Sequence, residues 1–143
     1  RKVLGNNGAT LKKFGKLVGA LVAEEGVNEK MAEFITPIAV LGEQITKFTT
    51  EIGFKGFQNA DEVGAAAVDY LRVAGHLVFA YFFARMAQVA LREIAAGNTD
   101  PFYPAKLQTA RFYFAKLFPE TATLMRTARA GSKVLMDTDL ALA

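Results

Sequence analysis

Apolar residues recur at helical spacing along almost the whole chain, and the alternation typical of strands is nearly absent. The first such stretch predicts a helix over Ala9–Glu25, with Gly8 before it and Gly26 ending it. The apolar stripe of this helix consists of Leu11, Phe14, Val18, Leu21 and Val22. A second helical stretch begins near Asn28, and because Pro37 lies inside it we expect a break or kink there.

Turn signals place the remaining helices. Residues 53–62 contain two glycines followed by Asn-Ala-Asp-Glu, which predicts a connector and a helix start. A long third helix is expected from about residue 59 to residue 96. Asp100 caps a fourth helix, and Pro119 is expected to kink it or to start another. These patterns predict an all-α fold: an up-and-down helical bundle of four to five helices with one long central helix.

The length of 143 residues and the hydrophobic content of 52% fit one domain with a real core. We therefore expect a single helical domain over residues 1–143, with a linker at residues 1–8 and a weakly held tail at residues 131–143. The first residue is Arg1 rather than Met, so we expect that the chain was processed or cut from a longer protein.

Side chains for catalysis or metal binding are scarce. The absence of cysteine excludes disulfides, thiolate ligands and a cysteine nucleophile, and it agrees with a reducing, cytoplasmic location. The single histidine, His76, cannot build a histidine-rich metal site, and in its apolar surroundings we expect a buried, hydrogen-bonded side chain. The adjacent acidic pairs lie at helix ends and diverge. We therefore assign no catalytic, cofactor-binding or metal-ligating residue to this chain.

The net charge of +3 is unevenly distributed. Residues 1–23 carry five cations and no acid, whereas residues 101–133 carry six cations against Glu120 alone. Two solvated basic faces are the favoured interpretation. The alternative is a basic helical module that binds nucleic acid or an anionic membrane surface, which requires the cations to gather on one surface.

Residues 73–84 are apolar on every side of the predicted third helix. Arg72 and Arg85 bracket these twelve residues, and since a membrane span needs about 20 we exclude one by length. Such a helix is either central in its bundle or covered by a second chain or domain, and the sequence leaves both open. In the second case the interface residues on this helix are His76, Phe79, Phe82 and Phe83.

The aromatic segment of residues 100–121 divides into two faces. The stripe that we expect to face the core consists of Tyr103, Leu107, Ala110, Phe114 and either Leu117 or Phe118. Phe112 and Tyr113 are expected to point elsewhere, beside Arg111 and Lys116. Aromatic and arginine side chains together are typical of a protein interface, so Phe112 and Tyr113 complete the predicted interface set.

Several short segments between residues 60 and 131 follow one another in a distinctive order. They are Gly75-His76, "ARM" at 84–86, "DPFY" at 100–103, "AKL" at 105–107, "ARFYF" at 110–114 and "PET" at 119–121. In this order and spacing they resemble the extra C-terminal domain that follows the catalytic region in one branch of bacterial acyl-CoA dehydrogenases. That branch includes methylthiopropionyl-CoA and long-chain acyl-CoA dehydrogenases.

The resemblance implies a parent enzyme that removes two hydrogens from an acyl-CoA thioester. In that chemistry a glutamate takes the α-proton and FAD accepts the β-hydride. The glutamate of the family lies in a Tyr-Glu-Gly segment upstream of an Arg-Lys-hydrophobic run like residues 1–4, so none of the catalytic residues is in this chain. The resemblance thus implies a non-catalytic domain that packs on the catalytic region of the same polypeptide and extends a homo-oligomer interface, with FAD bound by the parent.

Overall fold

Helices account for most of the part of the chain that the computed structural model describes, residues 8–136, and no strand lies within it. Five helices of two or more turns and one single-turn helix follow one another. They are α1 (Ala9–Glu25), α2 (Ala32–Gln58), α3 (Ala60–Ala95), α4 (Phe102–Phe112), α5 (Glu120–Ala128) and α6 (Lys133–Met136). The predicted all-α bundle with one long helix is confirmed.

Helix α1 has the predicted bounds and packs its predicted stripe against the rest of the bundle. Gly8 precedes it with a φ of 69°, a left-handed conformation that glycine adopts at no steric cost. Val18 and Leu21 are buried, and Phe14 lies edge-on against Tyr81 of α3 at 5.6 Å between ring centroids. One 3₁₀ turn then leads into α2, which packs against both α1 and α3.

Helix α2 runs through Pro37 without interruption, so the break expected there is wrong. Proline lacks the N–H that would donate to the carbonyl of Glu33, a loss of about 3 kcal/mol in a helix interior. Phe34, Ile35 and Ile38 lie on either side of it and are all buried. Since burying each such side chain contributes about 1.5–3 kcal/mol, their packing outweighs the cost of the proline.

The connector predicted at residues 53–62 is also wrong, because α2 continues to Gln58 and the chain reverses at Asn59 alone. The Asn59 side chain accepts a hydrogen bond from the N–H of Asp61 at 3.0 Å and so caps α3. Gly56 makes this sharp reversal possible. A Cβ added to Gly56 would lie 2.5 Å from Cγ2 of Val63 on α3.

Helix α3 is central to the bundle, since α2, α4 and α5 all pack against it. It ends as predicted at a Gly-Asn pair, where Gly97 has a φ of 83°. Asp100 then accepts a hydrogen bond from the N–H of Phe102 at 2.9 Å, which confirms its capping role. Pro119 stands immediately before α5, so it starts a new helix, which is one of the two predicted alternatives.

The end of the described chain is held at Ser132. Its N–H and hydroxyl donate to Glu62 at the start of α3, at 3.0 and 2.5 Å, and these bonds lower the pKa of that carboxyl. Gly131, with a φ of 84°, turns the chain into this contact. Residues 1–7 of the predicted linker and residues 137–143 of the predicted tail lie outside the described residues.

Replacing Gly56 by Ala should lower the free energy of unfolding by about 1–2 kcal/mol, although alanine is the better helix former. The added Cβ meets Val63, and a β-branched side chain in a helix has little freedom to turn away. Urea unfolding followed by circular dichroism measures the change.

Gly64→Ala in α3 is the matched control, because its added Cβ meets no atom within 4 Å. We expect it to stabilise the domain by about 0.5–1 kcal/mol. A Gly56→Ala variant as stable as Gly64→Ala would contradict the close approach of α2 and α3.

Candidate protein interface

The six predicted interface residues fall into two groups in the structure. Phe79, Phe82 and Phe112 are exposed to 58%, 61% and 56%. His76, Phe83 and Tyr113 instead turn towards the contact between α3 and the C-terminal helices, where Tyr113 is only 3% exposed. The structure therefore presents three of the six as free surface and uses the other three inside the domain.

The prediction that Tyr113 points away from the core is wrong. Its ring stacks on Phe83 at 4.4 Å between centroids with an interplanar angle of 16°, and Phe114 meets it edge-on at 5.4 Å. Tyr113 lies three residues after the buried Ala110, and its N–H still donates within α4, so regular helical spacing turns it inward. A π-helical turn follows at Tyr113–Leu117, where the N–H of Phe118 donates to the Tyr113 carbonyl at 2.9 Å. This wider turn rotates the following residues relative to an α-helix.

The same π turn decides between Leu117 and Phe118, which the sequence left open. Phe118 packs on the core with Phe114 at 5.4 Å between ring centroids, whereas Leu117 is exposed. Tyr113 and Phe118 both face the core although they are five residues apart. In a regular α-helix, residues on the same side are three or four apart. Only Phe112 of the two predicted outward aromatic residues remains on the surface.

His76 lies in a polar network that ties α3 to the C-terminal helices. Its Nδ1 is 3.0 Å from the Tyr113 hydroxyl, and that hydroxyl is also 3.0 Å from the His76 carbonyl oxygen. Its Nε2 donates to Glu120 at 3.1 Å, and Arg72 forms an ion pair with the same carboxylate. The expected hydrogen-bonded histidine is therefore what the structure contains.

Helix α3 places small side chains inside and large ones outside. Its buried residues are Ala66, Val73, Leu77, Ala80, Ala84, Ala87 and Ala90. Seven large apolar residues of α3 are exposed, and Ile94 near its end lies apart from the other six. These six, which we call the outward face of α3, are Val68, Leu71, Val78, Phe79, Phe82 and Val89. At 100° per residue these six share the side opposite the alanines. Contiguous exposed apolar surface of this kind marks an interaction site.

The length of α3 does not exclude a membrane span, contrary to what residues 73–84 alone indicated. An 18-residue window of α3 has a mean hydropathy of 1.3, so by length and composition alone the helix could cross a membrane. Arg85 follows the apolar residues 73–84, and its guanidinium forms an ion pair with Glu24 of α1 at 3.3 Å. Helices α2, α4 and α5 cover the other side of α3, which leaves the outward face as its uncovered apolar surface.

A second apolar surface is a groove of about 1020 Å³ between α1 and α2. Glycines on both helices keep it open, and threonine hydroxyls of α2 are among its polar groups. Among its lining residues Glu43 is the only carboxylate, and Lys12 and Lys47 are the only cations. The other lining residues are apolar or small, apart from the threonines.

Arginines of the basic C-terminal segment pair with acids of α2. Arg111 donates to both oxygens of Glu33 at 2.9–3.2 Å, and this hydrogen bonding raises the arginine pKa. Arg129 pairs with Glu51 at 3.3 Å and lies 4.9 Å from the ring centroid of Phe48. Contacts within the chain therefore engage these cations, which favours the interpretation as solvated faces. Binding of nucleic acid or an anionic membrane stays untested.

The sequence matches the family model described as "Acetyl-CoA dehydrogenase C-terminal like" over residues 10–139. Because the match covers nearly the whole chain, the chain belongs to this family, the C-terminal domain of acyl-CoA dehydrogenase-like proteins. A comparison with curated proteins finds no match. Within residues 8–136 no three histidine, aspartate or glutamate side chains come together as a metal site.

Replacing Tyr113 by Phe should lower the free energy of unfolding by about 1 kcal/mol, because the hydroxyl that bridges to His76 is lost. Burial raises the pKa of Tyr113 from 10.0 to about 12, so the folded state favours the neutral phenol. That contribution is complete below pH 10 and is lost as the pH rises towards 12. An alkaline titration of ultraviolet absorbance should show a last tyrosine step near pH 12, and the variant should lack it.

Tyr103→Phe is the control, since Tyr103 is a partly buried aromatic residue on the same core and its replacement leaves the hydroxyl contacts of Tyr113 intact. It should keep the step near pH 12 and almost all of the stability. Persistence of that step in Tyr113→Phe would assign it to another tyrosine and contradict the buried phenol.

Proposed function

We propose that this chain is a non-catalytic helical domain of an FAD-dependent acyl-CoA dehydrogenase, which serves packing and oligomerisation. The observation that carries the proposal is the outward face of α3, where Phe79, Phe82 and four aliphatic side chains face solvent. A domain that acted alone would place such residues in its core. The family membership supports the acyl-CoA dehydrogenase context.

The two apolar surfaces suggest two kinds of contact. The groove between α1 and α2 has glycines on both walls, so another segment of protein can approach the helix backbones closely. We assign this groove to the catalytic region of the same polypeptide. The outward face of α3 is longer and more aromatic, and we assign it to oligomerisation.

The proposed parent removes two hydrogens from an acyl-CoA thioester, with a glutamate base and FAD supplied by the catalytic region. In this proposal the residues of this chain hold no flavin and take no part in proton transfer. His76, the only histidine, lies between Tyr113 and Glu120. We further propose the branch with methylthiopropionyl-CoA and long-chain acyl-CoA dehydrogenases, on the segments between residues 60 and 131.

The purified chain should bind no FAD and should not oxidise acyl-CoA thioesters of any chain length. Absorbance of dialysed protein after incubation with FAD measures the first, and reduction of an artificial electron acceptor measures the second. Stoichiometric flavin that survives dialysis would contradict the non-catalytic assignment.

The reading frame upstream of the Arg1 codon provides the independent test of the parent. We expect it to encode a Tyr-Glu-Gly segment and a flavin-binding helical region. An unrelated upstream domain, or a start codon at this point, would overturn the acyl-CoA dehydrogenase role.

A further inference from the structure

We propose that residues 137–143 of this chain dock in the groove between α1 and α2, at the end of the groove beside Gly8 and Phe57. We call this end the entry end. The inference goes beyond the proposed function, which assigns the groove to the catalytic region. It gives the entry end to the chain itself and leaves the opposite end, beside Val22 and Ile38, to the catalytic region.

The directions of the two helices define the ends of the groove. A short connection at residues 26–31 joins α1 to α2, so the two packed helices run antiparallel. The start of α1, at Gly8 and Leu11, therefore lies beside the end of α2 at Phe57, and all three residues line the groove. Along α2 the lining extends from Ile38 to Phe57, which is about 28 Å at 1.5 Å per residue.

The described part of the chain ends close to the entry end. Ser132 donates hydrogen bonds to Glu62, and the side-chain amide of Asn59 donates to the Ser132 hydroxyl at 3.4 Å. Asn59 and Glu62 lie in sequence between Phe57 and Val63, which both line the groove. The segment beyond α6 therefore begins a few residues from the corner where α2 turns into α3.

The segment is long enough to enter the groove but not to fill it. Seven residues in extended form span about 23–25 Å. Because the chain is held at Ser132, part of this length crosses the corner at Asn59, and the remainder lies along the entry end. The opposite end of the groove is about 28 Å further along α2 and stays out of reach.

Apolar side chains stand exposed at the entry end. Phe57 is 94% exposed, and on α6 Val134 and Leu135 are exposed to 75% and 67%. Leu140 and Leu142 are two positions apart, so they lie on the same side of an extended segment. A segment that lays this side along the groove removes apolar surface on both partners from water, which favours docking.

The charge of the segment complements that of the groove. Lys12 and Lys47 are both exposed and line the groove against Glu43 as its only carboxylate. The segment carries Asp137 and Asp139 and no cation. Both acids precede the leucines, so they reach the entry end first, where Lys12 lies.

The other segment outside the described residues has the wrong charge for this groove. Residues 1–7 carry two cations and no acid, the same sign as the excess charge of the lining. Repulsion from the two lysines therefore disfavours residues 1–7 as the occupant, although they adjoin Gly8.

Intramolecular disulfide trapping tests the contact, because the chain has no cysteine of its own. In the full chain with Gly15→Cys and Ala141→Cys, we expect most of the oxidised protein to be a crosslinked monomer. Such a monomer runs faster on a gel than the reduced chain and returns to the position of the reduced chain with a reductant. Gly15 lines the groove, and a Cβ added there meets no atom within 4 Å.

Gly75→Cys with Ala141→Cys is the matched control. A Cβ added at Gly75 also meets no atom within 4 Å, but by helical spacing Gly75 lies on the same side of α3 as the outward face. This variant should stay uncrosslinked. Trapping in neither variant, or with equal yield in both, would overturn the docking.

A charge reversal tests the complementarity. Added to the Gly15→Cys, Ala141→Cys variant, Asp139→Lys should lower the initial rate of crosslinking about fivefold, because an attraction to Lys12 becomes a repulsion. Glu29→Lys makes the same change in net charge at an exposed position of the α1–α2 connection, near the opposite end of the groove. It should leave the rate unchanged. Equal rates in the two charge variants would refute the role of the charges.

These outcomes are separate from those that test the parent enzyme. An uncrosslinked segment in a chain whose gene encodes a flavin-binding region upstream would refute the docking and leave the acyl-CoA dehydrogenase role standing. A trapped segment without such an upstream region would do the reverse.

Discussion

Close contact between α3 and its neighbours is the constraint on which the rest of the structure depends. Three helices pack against α3, and the buried side of α3 is mostly alanine, which lets their backbones come near. Because that side has little room, six large apolar side chains of the same helix lie on the opposite side, whereas Val73 and Leu77 are buried. Within residues 8–136 no helix covers these six side chains. The uncovered apolar surface is therefore a consequence of how the core is packed.

The contact of Tyr113 with α3 is a second interaction that holds the helices together. Its ring stacks on Phe83 while its hydroxyl reaches His76, so one side chain contributes both apolar burial and a buried polar contact. The π turn that begins at Tyr113 then brings Phe118 inward. Glu120, at the start of α5, completes the network through His76 and Arg72. The polar residues of the region thus hold α3 and the C-terminal helices together.

Membership of the acyl-CoA dehydrogenase C-terminal family agrees with a structural role for these polar residues. In the proposed function, proton and hydride transfer belong to the catalytic region of the parent enzyme, and this domain contributes through the surfaces that it buries. The groove between α1 and α2 and the outward face of α3 are separate surfaces of different character. A domain with both can contact its own polypeptide and a second copy at the same time.

Helical spacing and end signals in the sequence alone determined the number of long helices, the bounds of α1 and α3, and the cap at Asp100, because these depend on neighbouring residues. Tertiary structure decided the rest. Buried side chains around Pro37 carried α2 through a residue that favours a break, and the fit of Gly56 against Val63 moved the reversal to Asn59. The inward position of Tyr113 follows the regular spacing of α4, three residues after Ala110. The inward position of Phe118 in place of Leu117 depends on a π turn, which packing against α3 stabilises and local spacing does not show.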